Sequence, residues 1–139
     1  MRTQPGSLHH AAQTLARRLD ELGRVSEAAQ GLTRTFLSPA MERANGLVGG
    51  WMREAGLQVR EDDTGNLIGR RESDQPSAKT LLLGSHLDTV RNAGRFDGAL
   101  GVVLPIIALG DLKRRGVALP FAVEVLGFSE EEAVRFAGA

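Results

Sequence analysis

An α/β fold is predicted by three features of the sequence. Apolar runs of strand length at residues 80–85 and 121–128 flank a helical stretch at residues 98 to about 115, the pattern of a βαβ unit. Upstream, two amphipathic stripes predict helices, and a polar turn between two extended segments predicts a β-hairpin. With 139 residues, 42% of them hydrophobic, the chain can bury one core, so a single domain is expected.

Taken in order, Leu8, Ala11, Ala12, Leu15, Leu19 and Leu22 recur at helical spacing behind Ser7, a suitable N-cap, and Gly23 supplies a stop. Arg17, Arg18, Asp20 and Glu21 read as its solvated face, and His9 and His10 as surface residues without a role. A second helix starts at Ser38-Pro39, since proline suits the first helical position, where the N–H has no partner. Met41, Ala44, Leu47, Val48, Trp51, Met52 and Ala55 form its apolar stripe, Glu42 lies in its first turn, and Gly56 ends it. Trp51 is read as core. Leu57, Val59 and Glu61 alternate, Asp62-Asp63-Thr64-Gly65 carries turn chemistry, and Asn66-Leu67-Ile68-Gly69-Arg70 resumes an extended pattern. Residues 72–78 are polar and include a proline, which predicts an exposed loop. In the βαβ unit the first strand is expected to be buried. Pro105 should kink the helix or shift its start. Lys113, Arg114 and Arg115 close the helix where cations favour its dipole.

Composition excludes several function classes. Seventeen basic residues balance seventeen acidic ones, so the chain has no electrostatic footprint for nucleic acid. Cysteine is absent, which leaves only nitrogen and oxygen ligands for any metal and fits a cytoplasmic setting. The first ten residues contain no apolar segment of the kind a signal peptide needs, and no run approaches the length of a membrane span. The chain is therefore read as soluble and unexported, with no membrane partner.

In a βαβ unit, reactive groups collect beyond the C-terminal ends of the strands. The first strand ends in Gly84-Ser85-His86-Leu87-Asp88-Thr89-Val90, and the second leads into Glu130, Glu131 and Glu132. Adjacent strand ends would bring these together. One imidazole with carboxylates suits a divalent metal, and an Asp two residues from a ligand His can accept the ring's other N–H. On that reading His86 binds and Asp88 holds it in position. Asp97, eleven residues past His86, precedes a helix and faces the positive end of its dipole, while Gly98 leaves room for a close approach. A carboxylate there can bridge two metals. Singly, each residue has an ordinary reading: Asp97 as an N-cap, the triplet as a solvated charge run, His86 as a hydrogen-bonded loop histidine. Consecutive carboxylates at a strand end, however, let one ligate while its neighbour takes a proton from water.

Three ordered motifs carry a family resemblance. They are Gly84-Ser85-His86-Leu87-Asp88-Thr89-Val90, then Arg95-Phe96-Asp97-Gly98-Ala99-Leu100-Gly101-Val102, then Phe128-Ser129-Glu130-Glu131-Glu132-Ala133-Val134-Arg135-Phe136. They resemble the amidase and carbamoylase branch of the zinc-peptidase-like hydrolases, which contains allantoate amidohydrolase, N-carbamoyl-L-amino-acid hydrolase and β-ureidopropionase. The likeness extends upstream through residues 34–39, 51–57 and 65–70. It implies a catalytic domain with a mixed sheet and flanking helices. It also implies that His86 ligates one metal, Asp97 bridges both and Glu132 ligates the other, with Asp88 orienting His86 and Glu131 acting as general base. Glu130 matches a variable position. The implied cofactors are two divalent ions, Mn or Zn, with Co or Ni also accepted by such ligands. The implied substrate is a small ureido or carbamoyl compound such as allantoate or an N-carbamoyl amino acid.

The eleven-residue step from His86 to Asp97 is that of this branch, whereas related peptidases and deacylases place the bridging Asp further on. Spacing thus favours linear amides over peptides. Ala133 stands where the family usually has Gly, and the family often has a non-proline cis peptide after the bridging Asp, which Gly98 would tolerate. Family members draw two further His ligands, substrate-binding Arg and Asn residues and a dimerising lid domain from sequence beyond this chain. Residues 1–139 are therefore expected to be the N-terminal portion of the catalytic domain, without the lid or the C-terminal part. Alone, the chain is expected to hold Mn or Zn weakly and exchangeably and to show no turnover. Its sheet is expected to end in a raw edge at residues 121–128. The alternatives are a truncated, non-catalytic α/β module, or a peptidase or deacylase of the same superfamily.

Overall fold

The structure, a computed structural model, describes residues 5–136; the first four residues and the chain end at Ala139, on which two of the expectations fall, lie outside the described residues. Its elements are α1 (Pro5–Gly23), α2 (Pro39–Glu54), β1 (Gln58–Glu61), β2 (Leu67–Arg71), β3 (Thr80–His86), α3 (Ala99–Arg114) and β4 (Ala122–Phe128). One mixed sheet has the order β1-β2-β4-β3: β1 and β4 each pair antiparallel with β2, and β3 pairs parallel with β4. The α/β class, the hairpin and the βαβ unit are thus as the sequence predicts.

Local chemistry accounts for the boundaries that agree. Ser38 caps α2, its hydroxyl accepting the Met41 N–H at 3.1 Å, with Pro39 at the first position. Beyond α2, Gly56 adopts φ 89, a left-handed conformation that glycine enters at no steric cost. The hairpin turn is held by Asp62, whose Oδ1 accepts from the N–H groups of Thr64 (3.0 Å) and Asn66 (2.9 Å). Lys113, in the last turn of α3, donates to the carbonyl of Glu54 at 3.2 Å, so it satisfies the end of α2 as well as favouring its own helix dipole.

The helices and the sheet share one core. Val48, Trp51 and Met52 of α2 meet Val102, Val103 and Ile106 of α3, Val123 and Val125 of β4, and Leu19 and Leu22 of α1. Four expectations need correction. Helix α1 already includes Pro5, the first described residue, so Ser7 lies inside the helix rather than capping it; its stripe is also shorter than read, with Leu8 and Ala12 exposed. Strand β3 is not buried: Leu82 is 61% exposed, because β3 has a neighbour on one side only and Leu82 pairs with Glu124, on the sheet face away from Val123 and Val125. Residues 121–128 are not an edge either, since β4 lies between β2 and β3; the edges of the sheet are β1 and β3. Pro105 neither interrupts α3 nor moves its start; the carbonyl it leaves unpaired belongs to Gly101, an exposed residue that water can reach. Among the described residues, no helix is long and apolar enough to cross a membrane.

Candidate metal centre

Because β3 and β4 are adjacent and parallel, their C-terminal ends lie side by side, with His86 in register with Phe128. His86 is the last residue of β3, and the acidic triplet begins two residues beyond β4. Positive φ at Glu130 (53°) and Ala133 (49°) turns that segment sharply next to the strand end. His86, Glu131 and Glu132 consequently offer ligand atoms that all lie within 4.8 Å of one another. Asp97 approaches the same imidazole, with Oδ1 3.8 Å from Nε2, while Glu131 Oε2 stands 3.5 Å from Nε2. All the residues read as candidates therefore gather at one rim of the sheet, with Asp97 at the edge of the three-residue group.

The hydrogen bonding fixes what the ring presents. His86 Nδ1 lies 2.9 Å from the backbone oxygen of Asp88, which can only accept, so Nδ1 carries the hydrogen. Nε2 is the atom turned toward the carboxylates of Asp97 and Glu131. A bare lone pair opposite carboxylate oxygens is repulsive, and a positive charge between them, from a proton or a metal ion, removes the conflict. Imidazole and carboxylate donors without thiolate are a set that divalent ions accept. The residues present fit such an ion.

Asp88 ties the two strand exits together. It is 1% exposed, and Oδ2 accepts the Glu132 N–H at 3.1 Å. Its other oxygen, Oδ1, is buried without a hydrogen-bond partner, 3.6 Å from His86 Nδ1. Thus the backbone carbonyl of Asp88 takes the ring hydrogen, and its carboxylate steadies Glu132. Glu130 has a different task, its Oε1 accepting from the N–H groups of Arg135 and Phe136, both at 2.8 Å.

Gly98 brings Asp97 to the ring. At φ 65 and ψ −54 it is the centre of a three-residue turn closed by the Ala99 N–H on the Asp97 carbonyl at 2.6 Å. It is also the N-cap of α3, so the Asp97 carboxylate is not spent on capping. A Cβ at this position would lie 2.5 Å from both Cε1 and the backbone oxygen of His86. The expected cis peptide after Asp97 is not found; no described peptide is cis, and the Gly98 dihedrals make the turn.

Arg34 is the residue whose place the sequence did not signal beyond the resemblance. It is 1% exposed and beneath the His86 loop, and burial pushes its guanidinium down to about 10, partly opposed by the Asp88 charge. A single arginine in a loop between two helices has no periodicity to mark it as buried.

Comparison with known proteins agrees with this geometry. Residues 66–139, just over half of the chain, match the family described as Peptidase family M28. The chain is 49% identical over 138 residues to an allantoate deiminase of Arabidopsis thaliana, covering 94% of this chain and 26% of that enzyme. It is 45% identical over 125 residues to an N-carbamoyl-L-amino acid amidohydrolase of Geobacillus stearothermophilus, covering 89% and 31%. Among solved structures, a hydantoinase/carbamoylase family amidase from Burkholderia ambifaria superposes with a TM-score of 0.86 at 35% identity, covering 93% of this chain and 32% of that one. The chain spans about a quarter to a third of the length of these relatives. The family match implies a divalent metal, and the cluster at the ends of β3 and β4 is of the kind that holds one. On the family match and the shared architecture together, the chain belongs to peptidase family M28.

Proposed function

We propose that this chain supplies part of the metal centre of a hydrolase of linear amide C–N bonds, acting on a small ureido or carbamoyl compound such as allantoate or an N-carbamoyl amino acid. The observation that carries the reading is the convergence of His86 Nε2 with the carboxylates of Asp97, Glu131 and Glu132, in a chain 45–49% identical to enzymes named for such substrates. In this reading residues 1–139 are the N-terminal portion of a catalytic domain, and the rest of the full-length protein supplies further ligands, substrate contacts and a lid through which two copies pair. Two divalent ions, Mn or Zn, are the proposed cofactors, and the cysteine-free sequence suits a cytoplasmic setting.

A divalent ion bound here supplies Lewis acidity, polarising an amide carbonyl and easing deprotonation of water. The chain's own residues do the rest. His86 would hold an ion through Nε2, and Glu132 and Asp97 would offer carboxylates, Glu132 to the second ion and Asp97 to both. Glu131, exposed beside the ring, accepts a proton at its carboxylate from the attacking water and returns it to the leaving nitrogen. Asp88 keeps His86 and Glu132 in place from below.

The test is a chimera in which residues 1–139 replace the matching segment of the Arabidopsis allantoate deiminase. Ammonia release from allantoate is expected, with kcat reduced about 10²–10⁴-fold by Glu131→Gln. A folded chimera that cleaves peptides but not ureido compounds, or one indifferent to Glu131→Gln and His86→Ala, refutes the proposal.

A further inference from the structure

We infer that Arg34 is a positioning residue of this centre: it fixes the loop after β3 so that the Asp88 carbonyl meets His86 Nδ1 and the ring keeps Nε2 toward the carboxylates. The inference deepens the metal reading of His86 and rests on it.

Arg34 reaches across from the segment between α1 and α2. Its Nε donates to the carbonyl of Leu87 at 2.7 Å, and Nη1 donates to the carbonyls of Leu22 and Val25, both at 2.9 Å. Leu22 lies in the last turn of α1, where carbonyls have no intrahelical partner and a cation is favoured. One end of the guanidinium is thereby anchored to a helix terminus while the other grips the residue between His86 and Asp88. The main chain repeats the join. Arg34 N–H donates to Thr89 Oγ1 and Thr89 N–H to the Arg34 carbonyl, each at 2.9 Å, and further along Ala93 N–H reaches the Leu32 carbonyl at 2.8 Å.

With the Leu87 carbonyl held by Arg34 and the Thr89 N–H held by the Arg34 backbone, the chain on both sides of Asp88 is pinned. The Asp88 carbonyl is left to meet the ring. A buried arginine whose fork serves three backbone carbonyls asks for the planar geometry of a guanidinium, which an ammonium cannot reproduce. The Leu87 side chain is itself fully buried in the core cluster, a second tie on the same loop.

The test uses the metal-free chain with nitrogen-labelled histidine, read by NMR at about pH 8, where free imidazole is neutral. Arg34→Lys and Arg34→Met are compared with Thr89→Val, which deletes the hydroxyl accepting the Arg34 N–H, and with Met52→Ala, a core substitution at α2, where Met52 meets the hairpin at Gly69. Wild type and Met52→Ala should show the Nδ1–H tautomer of His86, and the other three a mixture. Zn²⁺ affinity should fall about tenfold in those three and hold in Met52→Ala. A folded Arg34→Lys with wild-type ring shifts and Zn²⁺ affinity overturns the inference, since Arg34 then serves only the core. Should neither Arg34 variant fold, an unchanged Thr89→Val overturns it equally. Loss of the tautomer on Arg34→Lys in a chain that takes up no Zn²⁺ upholds Arg34 and refutes the metal reading instead.

Discussion

A methyl group on Gly98 would meet the His86 ring and backbone at 2.5 Å, and the φ of 65 there is one that an L side chain rarely adopts. Gly98→Ala should therefore lower stability by about 1–3 kcal/mol in chemical denaturation. Metal affinity should drop about tenfold or more, because the ring must yield before the backbone oxygen does. Unchanged Zn²⁺ binding in a folded Gly98→Ala would show that the ring position is not critical. Ala133 presents the opposite case. At φ 49 it holds a left-handed conformation that an L side chain rarely adopts, so Ala133→Gly should gain about 0.5–1 kcal/mol as the relieved strain exceeds the added chain entropy. A lower unfolding midpoint in that variant would count against strain at the turn. At this scale His86, Asp97, Glu131 and Glu132 were legible, because metal-ligand residue types stood in an ordered pattern at strand ends. Arg34 was not, because its burial comes from long-range carbonyl partners on α1 and the β3 loop that no local spacing records.

Among the elements, the hairpin is the one whose strength depends most plainly on one ionised group. The side chain of Asn66 first, then its N–H, then Thr64 hold the Asp62 carboxyl down at about 2 from an ordinary 3.8. A carboxyl depressed in the folded state stabilises fully above its unfolded value and loses that contribution as pH falls through the folded one. The turn should accordingly be intact at neutral pH and weaken between about pH 4 and pH 2, in the sense expected for a carboxylate. The protection of the Thr64 and Asn66 amides, taken by NMR relative to their intrinsic exchange at each pH, should fall as pH drops through that window and stay level in Asp62→Asn. Protection that falls equally in Asp62→Asn would assign the change to some other acid. The hairpin and α2 were legible because their signals are local: turn residues between alternating segments, and a capping serine before a proline. The exposure of β3 was not, because Leu81, Leu82 and Leu83 read alike whether a strand lies inside a sheet or at its margin. Position in the sheet is decided by the hairpin strand β2 taking the place beside β4.

For the molecule as a whole, the rim where three carboxylates meet one imidazole is the place at which a bound cation would add to stability. Any ion that binds only the folded chain stabilises it by RT ln(1 + [L]/Kd), about 2.7 kcal/mol at one hundred times Kd. Weak, exchangeable binding is what this cluster by itself should give, since an ion held by one imidazole and a few largely exposed carboxylates keeps open coordination positions. Zn²⁺ or Mn²⁺ should therefore raise the melting temperature in proportion to the logarithm of concentration, without a plateau at one equivalent, and chelator should reverse the rise completely. His86→Ala should abolish the response and lower the metal-free stability by about 1–3 kcal/mol, because the ring is buried and its loss leaves the Asp88 carbonyl without its partner. Leu82→Lys, on the open sheet face of β3, should lower self-association of the free chain and keep the metal response whole, because it is remote in register from the strand end. A melting temperature raised equally by Zn²⁺ in wild type and His86→Ala would mean that the ion binds elsewhere, and the rim would then be only a cluster of surface acids around a buried histidine.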